Sequence, residues 1–425
     1  MTTNQNLYPV TKEDRIDFLD ILRGIAIFFI FAANIIFFSG FFFFPEDGHI
    51  PSTDLVIDPY IDFISFTLID GKFYSIFSLL FGIGCAIQFN KLNKHSKPFA
   101  PFFRRRMFWL LIIGLIHLCL FWLGDILTLY ALLGFVLIWF VNMSNKKLIT
   151  WAIILILTPL INWFIIHVAN FNYPMHIYQL NTKYAETMGF KMVEWQGVMR
   201  LDMQAYLLNE NIVEFFKMNL GNAFIRIGNV LREGRIFKVL GIFLIGLWAG
   251  RKIINEDLLN NTKFLKKVAL WGVCIGLPIS IFRTYIEFFS GPELIWNFLN
   301  TLSYAFGTVP LAMGYAALLA LIYRKGFKFL HWFAPVGKTA LSNYIFQTFI
   351  SITIFYGIGF CFVGKFGITV IMGITFTVFI FQIIMSTWWL KHFKFGPLEW
   401  IWRQLTYKKR IRVKKLKSTK KHITI

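Results

Sequence analysis

The side chain best suited to chemistry is a histidine deep in an apolar run. His117 lies in Gly114-Leu-Ile-His117-Leu-Cys-Leu-Phe-Trp-Leu-Gly124-Asp125-Ile-Leu-Thr-Leu-Tyr130. An imidazole takes and returns a proton near neutral pH, as acyl transfer to a hydroxyl or amine requires. Asp125 and Tyr130, just past the turn at Gly124, are spaced to fold back and fix its tautomer. The competing reading is a structural histidine held by hydrogen bonds.

Charged residues inside apolar runs are costly and are functional candidates. Asp20 and Arg23, in Asp20-Ile-Leu-Arg23-Gly24, are three apart and share a helix face. Arg23 either pairs with Asp20 and snorkels to the surface, or clamps phosphate in a bidentate fork. Asn34 follows about 16 Å along the same helix and suits an interhelical hydrogen bond. Lys72 opens a second apolar run, where it snorkels outward or pairs with Asp70. Gly82 and Gly84 suit close helix approach and lack the pattern of a phosphate-binding loop. Arg283 and Glu287, four apart, are expected to pair directly, and such charges also line transport pathways. Asn343 with Gln347, and Glu399 with Arg403, repeat that spacing and are expected to fasten helices together. Arg232-Glu-Gly-Arg235 is placed to reach an outward-facing cavity.

The elements that must position these residues are membrane helices. Of 425 residues, 57% are hydrophobic and 15% charged, and mean hydropathy is +0.60, unlike a soluble chain. Apolar runs, most of about the length that crosses a bilayer, give approximate spans at 18–44, 61–89, 107–123, 126–142, 148–168, 236–250, 266–289, 296–323, 339–363 and 366–390. The expected fold is an all-α polytopic bundle of about ten spans forming one integral membrane domain, 1–425. With the N-terminus inside, Lys12, Arg15, Arg104, Arg105, Arg106, Lys146, Lys147, Arg251 and the Lys/Arg-rich tail all fall on one side. The short opposing loops carry Glu46, Asp47, Asp54, Asp58 and Asp125. That bias predicts both termini in the cytoplasm. Residues 169–235 form a long extracytoplasmic segment, expected to hold interfacial helices. The basic tail, 408–425, is an anchor for anionic lipid.

The formal charge of +21 does not imply nucleic acid, because the basic residues gather in loops and tail. Cys85, Cys119, Cys274 and Cys361 are far apart and read as small apolar residues, so no metal site or covalently bound cofactor is expected.

The chain resembles the YeiB-like family of bacterial membrane proteins. The likeness is carried by Leu19-Asp-Ile-Leu-Arg23-Gly24 with Asn34, by Gly71-Lys72 through Gly82-Ile-Gly84, and by His117 with Gly124-Asp125-Ile-Leu127. Gly337-Lys-Thr-Ala-Leu-Ser-Asn343-Tyr-Ile-Phe-Gln347 and Gly396-Pro-Leu-Glu-Trp-Ile-Trp-Arg403 extend it to the tail. That family is distantly similar to the acyltransferase-3 proteins and to the lysosomal heparan-α-glucosaminide N-acetyltransferase. These pass an acyl group from cytoplasmic acyl-CoA to an acceptor across the membrane. The Arg23-Gly24 opening matches them. Asn34 stands where acyltransferase-3 proteins have histidine, and His49 lacks the neighbours of the lysosomal enzyme's histidine.

What the resemblance implies is a transferase in the bacterial cytoplasmic membrane. Acyl-CoA would be co-substrate, and the acceptor a hydroxyl or amine of the cell envelope. His117 would be the base, oriented by Asp125. Arg23 and Arg104 to Arg106 would hold the donor's phosphates, and Lys72 or Asn34 an oxyanion. A transporter or flippase using Arg23, Lys72, Arg283 and Glu287 as pathway charges is the alternative. A non-catalytic sensor or assembly factor is a third. The acceptor and the oligomeric state are not written in the sequence.

Overall fold

The computed structural model describes residues 16–44, 55–195 and 198–415. Lys12, Arg15, Glu46, Asp47, His49, Asp54 and the end of the basic tail lie outside them. The described chain is almost wholly helical: α1 (Asp17–Phe38), α2 (Asp58–Leu68), α3 (Lys72–Lys94), α4 (Phe99–Ile116), α5 (Leu127–Leu137) and α6 (Asn145–His167) come first. Next are α7 (Met175–Met188), a hairpin of β1 (Met192–Trp195) and β2 (Val198–Leu201), α8 (Met203–Leu208) and α9 (Ile212–Arg232). The rest comprises α10 (Arg235–Glu256), α11 (Thr262–Phe289), α12 (Leu294–Arg324), α13 (Ala334–Lys338), α14 (Ala340–Phe355), α15 (Ile368–His392) and α16 (Pro397–Tyr407).

Each apolar window lies on helix, because a chain in hydrocarbon must satisfy its backbone internally. Six described stretches are long and apolar enough to cross a membrane: α1, α2 with α3, α6, α11, α12 and α15. The protein is therefore a helical membrane protein. Some windows outrun their helices, 18–44 past Phe38 and 339–363 past Phe355, and one is broken internally. The expected run 61–89 breaks between α2 and α3, where Gly71 takes a left-handed φ of +79°. A Cβ there would also come within 2.9 Å of the Thr308 side chain.

α1 is the bundle's central helix, buried on nearly every face from Phe18 to Phe38. It packs on α13, α3 and α14. The contact with α13 depends on paired glycines, since a Cβ on Gly24 would lie 2.1 Å from the Phe333 carbonyl oxygen and one on Gly337 1.8 Å from that of Asp20. Gly82 and Gly246 perform the same service between α3 and α10, each facing the other helix's backbone. Gly84 does not share this role, as nothing lies within 4 Å of its Cβ position.

Polar fasteners complete the packing. Asn343 on α14 donates to Ser386 on α15 (3.0 Å), and Gln347 donates to Gln382 (2.9 Å). Glu399 accepts from the backbone nitrogens of Leu341 (2.7 Å) and Ser342 (3.1 Å), so a carboxylate from α16 caps the start of α14. Within 169–235 the structure has α7, α8 and α9, and also a short antiparallel hairpin that the apolar pattern did not signal.

Candidate functional site

At the Asn34 end of α1 the helices part around a cavity of about 930 Å³. Its wall draws on the ends of α1, α6 and α11, the α2–α3 turn, the α4–α5 connection, α9, α10, α12 and α14. Four arginines line it: Arg226, Arg232, Arg235 and Arg283. Asp70, Glu233 and Glu287 are the acidic residues of the same wall, with His167 beside them.

The expected direct pairing of Arg283 with Glu287 is not formed. Arg283 instead donates to Asp70 (2.7 Å) and to Asn300 Oδ1 (3.1 Å), and Asn300 donates to Glu287 (2.6 Å). The α2–α3 turn delivers Asp70 closer to the guanidinium than its own helix delivers Glu287. Lys72 interacts with Asp70 by charge but makes no contact ion pair with it, and it does not snorkel outward; it is fully buried, with Nζ 3.3 Å from the Phe66 carbonyl. Arg235 pairs with Glu233. Behind the wall, Lys238 is also fully buried, donating to the Tyr304 carbonyl (2.8 Å) and Thr308 Oγ1 (2.6 Å). Its Nζ lies 3.0 Å from the Tyr304 ring centroid, a desolvated cation–π contact.

His117 is not a cavity-wall residue. It begins a π-helical turn, His117–Phe121, that ends the α4 rod, a distortion often found at functional sites. Its Nδ1 lies 2.9 Å from Asp125 Oδ1 and its Nε2 2.9 Å from Thr348 Oγ1. Asp125 also accepts from the backbone nitrogens of Leu127 (3.1 Å) and Thr128 (2.7 Å), capping α5. A carboxylate so placed accepts from Nδ1–H, which leaves Nε2 as the acceptor from the Thr348 hydroxyl. Tyr344, whose ring centroid is 5.3 Å from that of His117, and Trp122 stand between the imidazole and the cavity, which both of them line. The Asp125 carbonyl in turn receives Arg226 through Nε (3.1 Å) and Nη2 (2.8 Å). One aspartate thus joins the buried histidine to a cavity arginine. Tyr130, the other expected orienter, bonds to Ser78 (2.6 Å) and not to His117.

The remaining candidates lie elsewhere. Asn34 does line the cavity. Arg23, at the far end of α1, pairs with Asp20 at 2.9 Å and is part-exposed. Arg104 is exposed, whereas Arg105 donates to the Thr406 carbonyl and Arg106 lies 3.8 Å from the Trp402 ring centroid, so both hold α16. Sequence reasoning missed Trp122, His167, Arg226, Lys238 and Tyr344. Arg226 sits in an amphipathic helix, where an arginine signals nothing, and the aromatics are hidden among many others. Lys238, in the first turn of an apolar run, was the one visible signal. Among the described residues no cluster of metal-ligating side chains occurs.

Comparison with known proteins places this architecture. Over 95% of its length the chain is 27% identical to "Uncharacterized protein YxaH" of Bacillus subtilis, covering 96% of that protein. It is 26% identical to "Uncharacterized protein YeiB" of Escherichia coli, over 91% of this chain and 95% of that one. Residues 249–409 match the family model described as "Protein of unknown function (DUF418)". Across nearly its whole length the chain is thus similar to YeiB-like proteins. Within this YeiB-like protein the matched stretch holds Arg283, Asn300, Tyr304 and Tyr344 of the cavity wall, while His117, Asp125 and Arg226 fall in the part covered by the whole-chain likeness. No solved structure matches the chain.

Proposed function

We propose that this protein is an acyltransferase of the bacterial cytoplasmic membrane, with about ten spans and both termini in the cytoplasm. It takes an acyl group from a cytoplasmic acyl-CoA-type donor and passes it to a hydroxyl or amine at the outer face. One observation carries the reading: the buried α1 bears Arg23 at one end and cavity-lining Asn34 at the other. Donor phosphates and acceptor therefore approach a common helix from opposite faces.

In the transfer, the acceptor's oxygen or nitrogen attacks the thioester carbonyl and the C–S bond breaks. For the acceptor's proton to reach His117 Nε2, Tyr344 or Trp122 must turn aside and Thr348 give way to substrate; the proton is then returned to the leaving thiolate. Asp125 holds Nδ1 and stabilises the imidazolium, and Asn34, which lines the cavity, supplies the amide donor for an oxyanion in this reading. Lys72, buried against the Phe66 carbonyl, is not placed for that role.

A transporter is the second reading, favoured by the Asp70–Arg283 ion pair among the helices. It predicts flux in proteoliposomes with no covalent product. The test between them is calorimetric titration of folded, detergent-purified protein with acetyl-CoA and longer acyl-CoAs. Saturable binding, weakened about tenfold or more in Arg23→Ala by loss of a charge-assisted contact, is the expected outcome. Absence of binding at every chain length removes the transferase reading.

A further inference from the structure

We propose that the arginine-lined cavity is a binding site for a phosphate ester, the headgroup of an anionic membrane lipid. The site stands whether or not the protein transfers acyl groups.

Charge is the first argument. Each wall carboxylate is already engaged: Asp70 by Arg283, Glu233 by Arg235, and Glu287 by Asn300. Arg226 has no carboxylate within ion-pair distance among the described residues, because both its hydrogen bonds go to the Asp125 carbonyl. Lys238, close behind Tyr304, likewise bonds only to neutral oxygens. A guanidinium in the wall with no carboxylate in contact is costly, and an anion in the cavity offsets that cost.

Hydrogen bonding is the second, independent argument. Three buried donors of the wall have no acceptor among the described residues: Trp122 Nε1, Arg235 Nε and the Tyr344 hydroxyl, whose oxygen faces the Ile126 backbone. The side chains of Trp122 and Tyr344 are almost fully buried, at 2% and 5% exposure. Buried polar groups are satisfied in the great majority of cases, so three unsatisfied atoms around one cavity point to a ligand. All three can donate, and a ligand that satisfies them together is rich in acceptor oxygens and poor in donors. A phosphate ester meets that description, and a guanidinium presents donors in the fork geometry it needs.

The third argument selects a lipid. The wall is also partly apolar, with Phe29, Phe37 and Phe73, and with Phe66 under the Arg283 guanidinium at 4.7 Å. About 930 Å³ is the size of a small-molecule pocket; it admits a headgroup and the first part of its chains. The same oxyanion chemistry is offered by a soluble phosphate ester, and the experiment separates the two sources.

The test is equilibrium binding of radiolabelled phosphatidylglycerol, phosphatidylcholine and glycerol 3-phosphate to the full chain in detergent, with Tyr344→Phe and Arg226→Gln alongside. The expected result is saturable binding of phosphatidylglycerol, at least tenfold tighter than phosphatidylcholine. Tyr344→Phe should weaken it roughly tenfold, the loss of one hydrogen bond to a charged group. It should leave the ligand-free protein folded with a cooperative unfolding transition, since the deleted hydroxyl donates to no acceptor. Arg226→Gln should weaken binding further. Tight glycerol 3-phosphate binding with the same Tyr344 dependence keeps the site and makes its ligand soluble. No saturable binding to folded protein, or binding indifferent to both substitutions, overturns the proposal. Acyl-CoA is read separately through Arg23, so a lipid-binding protein that ignores acyl-CoA loses the transferase reading alone.

Discussion

Asp125 shows how much one buried carboxylate can organise. Its side chain holds the His117 imidazole and caps α5, while its carbonyl anchors Arg226. The other nitrogen of His117 depends on a single hydroxyl. In Thr348→Val that nitrogen is left buried and unpaired, which costs about 1–3 kcal/mol. Thermal or denaturant unfolding in detergent should register the loss, and an unchanged transition would show that Thr348 does not hold the ring. The histidine's partner Asp125 was legible in the sequence because it lies only eight positions on, just past a glycine turn. Thr348 was not, since 231 residues separate it from His117 and nothing distinguishes it from other threonines in apolar runs.

Helix contacts here rely on close backbone approach at glycine, and two neighbouring glycines separate that role from propensity. A methyl at Gly82 would lie 2.1 Å from the Phe243 carbonyl oxygen, whereas at Gly84 it meets nothing within 4 Å. Gly82→Ala should therefore force α3 from α10 at a cost of about 1–3 kcal/mol or more. Gly84→Ala should be neutral or stabilising by up to roughly 1 kcal/mol, through better helix propensity. Unfolding temperatures of the two variants in one detergent check this, and equal shifts would remove the packing account. Both glycines look alike in sequence because helical periodicity reports a face, not what stands opposite it. The same limit hid the break at Ile69–Gly71 inside a continuous apolar run, where the Asp70-Gly-Lys triplet forms a turn that sends Asp70 to Arg283.

At the scale of the molecule, the basic loops and tail set orientation in our proposal, because moving a lysine or arginine outward across the membrane is unfavourable. Lys146 and Lys183 are both exposed and lie near opposite ends of the described helices α6 and α7. In a background lacking the four native cysteines, a cysteine at 183 should react with an impermeant maleimide on intact cells. One at 146 should react only after permeabilisation. Labelling of 146 from outside would invert the topology, and with it the sides assigned to donor and acceptor.

The amino-acid order by itself determined that this is a helical membrane protein, where its helices lie, and that Arg23, His117 and Asp125 are costly enough to need partners. Those are properties of local composition, since hydrocarbon tolerates only long apolar helices and makes every buried charge conspicuous. Spacing also pointed to Asp20 for Arg23 and Asp125 for His117; only the tertiary structure supplied the partners far away in the chain. It gathered arginines from α9, α10 and α11 around one cavity, gave Asp70 to Arg283, and set His117 behind Tyr344 and Trp122. Such choices depend on how helices far apart in sequence cross and face one another, and no spacing along a single helix encodes that.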